Sequence, residues 1–267
     1  MRFCVLGSGS KGNATFVEAG DTRLLIDAGF SGREIERRLA EIGVEAGSLA
    51  GILITHEHGD HIKGAAVLSR RYGLPVLVND ATLAAAGEIL ADLPRRHAFV
   101  TGDTFLFRDI KVHPYRVSHD AADPVGFLLG HGRLTLGYCT DTGTVSKLMR
   151  HRLSACHGLV LEANHDPELL RSGPYPPALQ QRVRGKSGHL ANHDAAEFLS
   201  SILHDGLEHV VLSHISETNN RAEIAQSVVA AMLAEIRALR GDDCVLPAVS
   251  LAHQDRVGEL VWLGNRR

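Results

Sequence analysis

The sequence predicts a mixed α/β (α+β) fold built around a histidine-rich loop at the end of a buried strand. Three observations carry this expectation. The apolar run Ile52, Leu53 and Ile54 reads as a buried strand that empties into Thr55-His56-Glu57-His58-Gly59-Asp60-His61. Short β-like runs separated by turn residues recur along the chain. Between them lie stretches with helical caps and one apolar face.

The loop concentrates His56, His58, Asp60 and His61, four metal-competent side chains, within six residues. His56 and His58 are two apart, so an extended backbone points them the same way. Gly59 is expected to let the backbone turn tightly, bringing Asp60 and His61 to a second point close by. Neutral imidazole and carboxylate suit zinc, iron or manganese, with no thiolate in the set. With 16 histidines in the chain coincidence is easy for any one of them, but not for this density at a strand end.

Taken in order, residues 2–6 read as the first strand. Gly7-Ser8-Gly9-Ser10-Lys11-Gly12 then fits Gly-x-Gly-x-x-Gly, with Asp27 20 residues after Gly7, the spacing of a dinucleotide-binding fingerprint. That motif needs a helix next. Residues 14–18 and 22–26 are instead β-like runs joined at Gly20-Asp21, so the Rossmann reading is rejected. The loop either presents Ser8, Ser10, Asn13 and its backbone N–H groups to a substrate phosphate or is a tight structural turn. Ser31-x-x-Glu34 is a capping box for a helix with Ile35, Leu39 and Ile42 on one face.

After the metal loop, 62–71 reads as one helix ending near Tyr72-Gly73, and 75–78 as a short strand. Asp80 is expected to cap an alanine-rich helix to about Leu90. Strands are expected at 97–100, 104–107 and 110–113, followed by Val117-Ser118-His119-Asp120. A hairpin, 125–130 and 133–138, leads to Cys139-Thr140-Asp141-Thr142-Gly143, where the threonines shape the turn. Strand 158–161 leads to Glu162-Ala163-Asn164-His165-Asp166. Residues 167–187 read as irregular, because Pro174, Pro176 and Pro177 rule out a continuous helix. Arg171, Arg182, Arg184 and Lys186 concentrate positive charge there, to hold a nucleic-acid backbone or simply to solvate a loop. Gly185-Lys186-Ser187 is not a phosphate-loop tail, since residue 180 is glutamine where that motif needs glycine. A helix over about 194–204, capped by Asn192 or His193, precedes strand 208–212 and Ser213-His214-Ile215-Ser216. A long helix, roughly 219–240, turns Ile224, Val228, Met232, Ile236 and Leu239 inward, and the tail at 244–263 is β-like.

The composition excludes several classes. Cys4, Cys139, Cys156 and Cys244 are scattered with no Cys-x-x-Cys, against a disulfide framework or a thiolate zinc site. No apolar run approaches the ~20 residues of a membrane helix, and the N-terminus reads as no signal peptide, so a reducing cytoplasm is the expected compartment. Net charge −3 and 5% aromatic residues advertise no nucleic-acid surface built on stacking. One domain over residues 1–267 is expected; the oligomeric state is not legible.

Thr55 to His61 resembles the signature of the metallo-β-lactamase-fold hydrolases, and Asp27, His119, Asp141 and His214 follow in that superfamily's order. The wording is closer still to the YycJ/WalJ exonuclease family. The matching stretches are Gly-Ser-Gly-Ser-Lys-Gly-Asn-Ala (7–14), Ile-Asp-Ala-Gly-Phe-Ser (26–31), residues 55–61, Cys-Thr-Asp-Thr-Gly (139–143), Glu-Ala-Asn-His-Asp (162–166), Gly-His-Leu-Ala-Asn (188–192) and Leu-Ser-His-Ile-Ser (212–216).

The resemblance implies a four-layered αββα metallo-β-lactamase-like sandwich with two divalent metal ions, zinc or manganese, iron also being compatible. His56, His58 and His119 would hold one ion, Asp60, His61 and His214 the other, and Asp141 would bridge them. A hydroxide between the ions would be the nucleophile. Asp60 and His189 are the residues assigned to catalysis, His189 contacting the scissile phosphate or protonating the leaving oxygen. Asp27, Glu162 and His165 would stand behind the ligands. Ser8, Ser10, Asn13, Arg184, Lys186 and Asn192 are the candidate substrate contacts. The implied activity is 5′-to-3′ exonuclease action on double-stranded DNA. The alternatives are a phosphodiesterase of the same fold acting on small, including cyclic, diesters and, in another class, a non-catalytic nucleic-acid-binding module.

Overall fold

The computed structural model describes residues 1–241 and 243–264, which divide into two compact units. The first comprises 1–116, 121–133 and 252–262; the second comprises 117–120, 134–251 and the described part of 263–267. The strands form two β-sheets accompanied by helices, the mixed α/β class expected from the sequence.

In the first unit, β1 (Arg2–Gly7), β2 (Ala14–Ala19) and β3 (Thr22–Ile26) run antiparallel. β4 (Gly51–Leu53), β5 (Val76–Val78) and β6 (Arg96–Ala98) then add in parallel, and the strand Val261–Trp262 closes the far edge against β1. The switch from antiparallel to parallel follows from the connections: β2 and β3 share a tight turn, whereas β3 and β4 are joined through α1 (Gly32–Glu41). Ser31 Oγ caps α1 by accepting from the Glu34 N–H, and Ile35 and Leu39 are buried, as the capping box and apolar face predict.

The helix expected over 62–71 is in fact two. The four-residue α2 (Gly59–Ile62) is followed by α3 (Ala65–Tyr72), which ends at Gly73 in the left-handed conformation. Gly64 makes the break: a Cβ there would lie 2.3 Å from the Phe30 carbonyl oxygen, so only glycine fits the crossing. The next helix, α4 (Asp80–Ala86), is capped by Asn79 rather than Asp80, with Asn79 Oδ1 accepting 2.8 Å from the Thr82 N–H. β7 (Phe105–Phe107), β8 (Ile110–Arg116) and β9 (Val125–His131) form an antiparallel meander in the same unit.

The second unit is a parallel array of β10 (Leu134–Cys139), β11 (Gly158–Glu162), β12 (His209–Ser213) and β13 (Ala248–Leu251). Between strands run α5 (Lys147–Leu153), α6 (Pro167–Ser172), α7 (Pro177–Val183), α8 (Asn192–Ile202) and α9 (Ala222–Arg240). The stretch expected to be irregular therefore holds two short helices. Its prolines do not break them, because Pro167 and Pro177 occupy first-turn positions where no amide donor is needed. In α9 the buried line is Ala225, Val229 and Leu233, one residue on from the predicted stripe, and Leu239 is 87% exposed. The small Ala225 lets the helix pack closely, with Ile224, Val228, Met232 and Ile236 half-buried beside that line. Parallel strands buried on both faces read as continuous apolar runs, and β11 and β12 have that pattern. Among the described residues, no helix is long and apolar enough to cross a membrane.

Candidate metal and phosphodiester site

Strand ends carry the candidate residues. Asp27 follows β3, Asp141 follows β10 and His214 follows β12, and each has a positive φ, 59°, 55° and 53°. Only Arg108 among the other non-glycine residues described shares this left-handed backbone. Each such residue costs about 1–2 kcal/mol, and the strain concentrates at the candidate site.

In the first unit, Asp27 is wholly buried beneath the 55–61 loop. Its Oδ1 accepts from the Thr55 N–H at 2.8 Å. Its Oδ2 accepts from Thr55 Oγ1 at 2.8 Å and lies 2.8 Å from His61 Nδ1. Burial pushes the Asp27 carboxyl up, partly offset by His61 and by these hydrogen bonds. His56 Nδ1 lies 2.9 Å from Thr55 Oγ1, and His56 Nε2 lies 3.1 Å from His58 Nδ1. Asp60 is half-buried, and its carbonyl accepts from the Asn13 N–H at 2.8 Å.

The glycine-rich loop is drawn onto this loop from the other side. Ser8 Oγ donates to Asn13 Oδ1 at 2.9 Å, and Asn13 Nδ2 lies 3.0 Å from His61 Nε2 and 3.3 Å from Asp60 Oδ2. Ser8 and Asn13 are buried, whereas Ser10 is exposed. Gly29 permits the approach: a Cβ there would sit 1.6 Å from the Asp60 carbonyl oxygen. Gly59, which was expected to make the turn, has no positive φ, and a Cβ there would meet nothing within 4 Å. The turn is made by α2 instead.

In the second unit, Glu162 is the hub. Its Oε1 lies 2.7 Å from His189 Nδ1 and 2.9 Å from His214 Nδ1, and its Oε2 accepts from the Thr142 N–H at 2.9 Å. Burial alone would raise its carboxyl, but the two histidines outweigh burial and hold it well below the usual range. Donor atoms of Asp141, Glu162, His189 and His214 all lie within 4.8 Å of one another. His119 Nδ1 faces the Gly188 carbonyl at 3.2 Å, and burial lowers the imidazole's pKa. Asp120 pairs with Arg182 at 2.6 Å.

Other predicted residues take different places. Asn192 is buried, its side-chain amide exchanging two hydrogen bonds with Asn220 at 2.9 and 2.8 Å. As the first residue of α8 it is not the cap; Ala191 is. His165 is buried, and among the described residues its Nδ1 meets no hydrogen-bond partner. Arg184 and Lys186 are exposed. Thr55, a residue not among those singled out by sequence, joins Asp27 to both His56 and His61. Its place directly before the histidines was the available signal.

One pattern tests whether these residues suit a metal ion. His56, His61, His119 and His214 each turn Nδ1 to an oxygen, from Thr55, Asp27, Gly188 and Glu162 respectively. Each thereby leaves Nε2 as the ligating atom, the habit of histidines that hold metal, whose other ring nitrogen is oriented by a carboxylate or carbonyl. The 3.1 Å between His56 Nε2 and His58 Nδ1 also matches the roughly 3.3 Å between two nitrogens on one tetrahedral ion. The donor set of nitrogen and carboxylate oxygen fits a divalent cation.

A family model for the β-lactamase superfamily domain matches residues 22–215. The chain belongs to the metallo-β-lactamase superfamily. Within it, exodeoxyribonuclease YycJ of Bacillus anthracis is 39% identical over 237 residues, 88% of this chain and 90% of that protein. Exodeoxyribonuclease WalJ of Streptococcus pneumoniae is 39% identical over 241 residues, 88% of this chain and 89% of that protein. These likenesses place the chain in the YycJ/WalJ family, as the sequence motifs imply. The metallo-β-lactamase fold protein YhfI of Bacillus subtilis superposes with a TM-score of 0.73 at 16% identity, over 98% of each chain, a likeness of fold.

Proposed function

We propose that this protein is a divalent-metal-dependent exodeoxyribonuclease that shortens double-stranded DNA from its 5′ ends in the cytoplasm. The observation that carries the reading is the near full-length likeness to two exodeoxyribonucleases, in a chain whose histidines are oriented for metal. Within this reading, the whole chain acts as one hydrolase. In this reading His56, His58 and His119 would hold one divalent ion, Asp60, His61 and His214 would hold a second, and Asp141 would serve both, with zinc or manganese as occupants. When bound, such ions supply an activated water and the positive charge that polarises a phosphoryl group.

The chain's own residues complete the chemistry. Asp27 and Thr55 fix the imidazoles of His61 and His56, so the ligand set is preorganised before metal arrives. Glu162 takes Nδ1 of His189 and leaves Nε2 to face the phosphate, where it donates a hydrogen bond or delivers a proton to the departing oxygen. Because Glu162 also orients His214, one buried carboxylate sets the distance between a metal ligand and the acid.

The test is digestion of duplex DNA labelled at either end, in manganese or zinc, with a His56→Ala protein as control. Stepwise loss from 5′ ends, absent in the control, is expected. Intact DNA with turnover of a simple diester would overturn the DNA reading in favour of a small-molecule phosphodiesterase.

A further inference from the structure

Of the four cations between residues 171 and 186, two are already matched: Arg171 pairs with Glu168, and Arg182 with Asp120. Arg184 and Lys186 are exposed, and among the described residues neither pairs with a carboxylate. The backbone that carries them is held firmly. Ser118 Oγ donates to the Lys186 carbonyl at 2.8 Å and Thr144 Oγ1 donates to the same oxygen at 3.2 Å. The Gly188 N–H reaches the Gly185 carbonyl at 2.9 Å, and the His189 N–H the Val183 carbonyl at 2.8 Å. Gly143 packs so closely that a Cβ there would lie 2.3 Å from the Gly185 carbonyl oxygen.

A solvated lysine loop gains nothing in stability from fixing its cations, and ordering each residue costs about 1–2 kcal/mol. What such fixing does achieve is a set distance to a ligand. The loop ends in His189, and its Gly188 carbonyl receives His119 Nδ1, so its position is tied to the candidate site itself. His189 lies three positions after Lys186, a span of at most about 11 Å. A DNA strand advances about 3.4 Å per nucleotide along the duplex axis.

We propose that Arg184 and Lys186 form a phosphate subsite that grips the DNA backbone a few nucleotides from the bond served by His189. The proposal rests on the exonuclease reading and deepens it: in a chain of net charge −3, these two cations are where a polyanion is held. Both side chains donate to phosphate oxygens without reading bases, so the subsite serves any sequence.

The test titrates metal-loaded protein with duplex DNA whose phosphorothioate linkages resist cleavage, across a salt series. Arg184→Ala and Lys186→Ala are each expected to weaken binding several-fold. Each should also reduce the slope of log K against log salt by about 0.9. Arg71→Ala, which removes a surface arginine paired with Glu36, is expected to keep the wild-type slope. Both substituted loop residues are exposed, so thermal midpoints should stay at the wild-type value and exclude misfolding as the cause. Unchanged slopes in a protein that digests DNA would overturn the subsite and leave the exonuclease reading intact. An equal drop in Arg71→Ala would mean diffuse surface charge and would also overturn it. A wild-type protein that neither binds nor digests duplex DNA would remove both.

Discussion

Asp27 and His61 lie 34 residues apart in the chain, yet the Asp27 carboxylate sits 2.8 Å from His61 Nδ1, wholly buried at the end of β3. The same carboxylate holds the Thr55 amide and hydroxyl, so one side chain orients a candidate metal ligand and the start of the loop that carries it. Asp27→Asn keeps the volume but points an amide donor at a nitrogen that already carries a proton. Metal affinity should fall 10–100-fold, read as metal content after dialysis. Asp27→Ala should in addition cost about 2–4 kcal/mol, because buried donors lose their acceptor. A wild-type metal content in both variants would remove Asp27 from the site.

Glu162→Gln tests the second hub. The substituted amide keeps one acceptor oxygen but cannot serve His189, His214 and Thr142 together. Turnover should fall about 10–100-fold, with a measurable loss of bound metal that a defect in His189 alone would not cause. His189→Ala, by contrast, should retain metal and lose turnover. Similar metal content in Glu162→Gln and wild type would confine Glu162 to bracing His189.

Two glycines near the metal loop should behave in opposite ways. Gly29→Ala places a methyl 1.6 Å from the Asp60 carbonyl, a backbone atom with no easy retreat, and should cost several kcal/mol or prevent folding. Gly59→Ala meets nothing within 4 Å and needs no left-handed backbone, so thermal stability should change by less than about 0.5 kcal/mol. Denaturation midpoints of the pair decide between the two accounts of how this loop turns.

Removal of metal should lower the melting temperature. His56 Nε2 and His58 Nδ1 lie 3.1 Å apart in a partly buried loop, and a ligand that binds only the folded state stabilises it by RT ln(1 + [L]/Kd), about 2.7 kcal/mol at a hundredfold excess over Kd. Dialysis against a chelator should reduce the midpoint by several degrees, and added zinc or manganese should restore it. No shift in either direction would count against a metal at these residues.

A modest acid sensitivity should come from α1. Hydrogen bonds from Arg37 and Arg38 outweigh partial desolvation and hold the Glu34 carboxyl at about 2, below its ordinary 4.5. The ion pairs therefore contribute fully above pH 4.5 and are lost as the pH falls toward 2. Glu34 is partly exposed, so solvent screening limits the effect to about 1 kcal/mol. Glu34→Gln should flatten the stability profile over that interval by this amount; an unchanged profile would show that the pairs contribute nothing.

The amino-acid sequence by itself determined most of the strands and the candidate ligands, but not where several helices begin, break or face. Apolar runs mark β1 to β4, β11 and β12 because buried strands need unbroken hydrophobic faces. The histidine loop is legible because its ligands are adjacent in the chain. Tertiary structure decided what depends on partners remote in sequence: the Asp27–His61 and Glu162–His214 contacts, and the inward turn of Asn192 toward Asn220. It also decided which arginines are matched by carboxylates. Local spacing states which side chains a strand end offers. It carries no information about which distant carboxylate, hydroxyl or glycine will meet them, because those meetings are set by packing between elements rather than by neighbours in the chain.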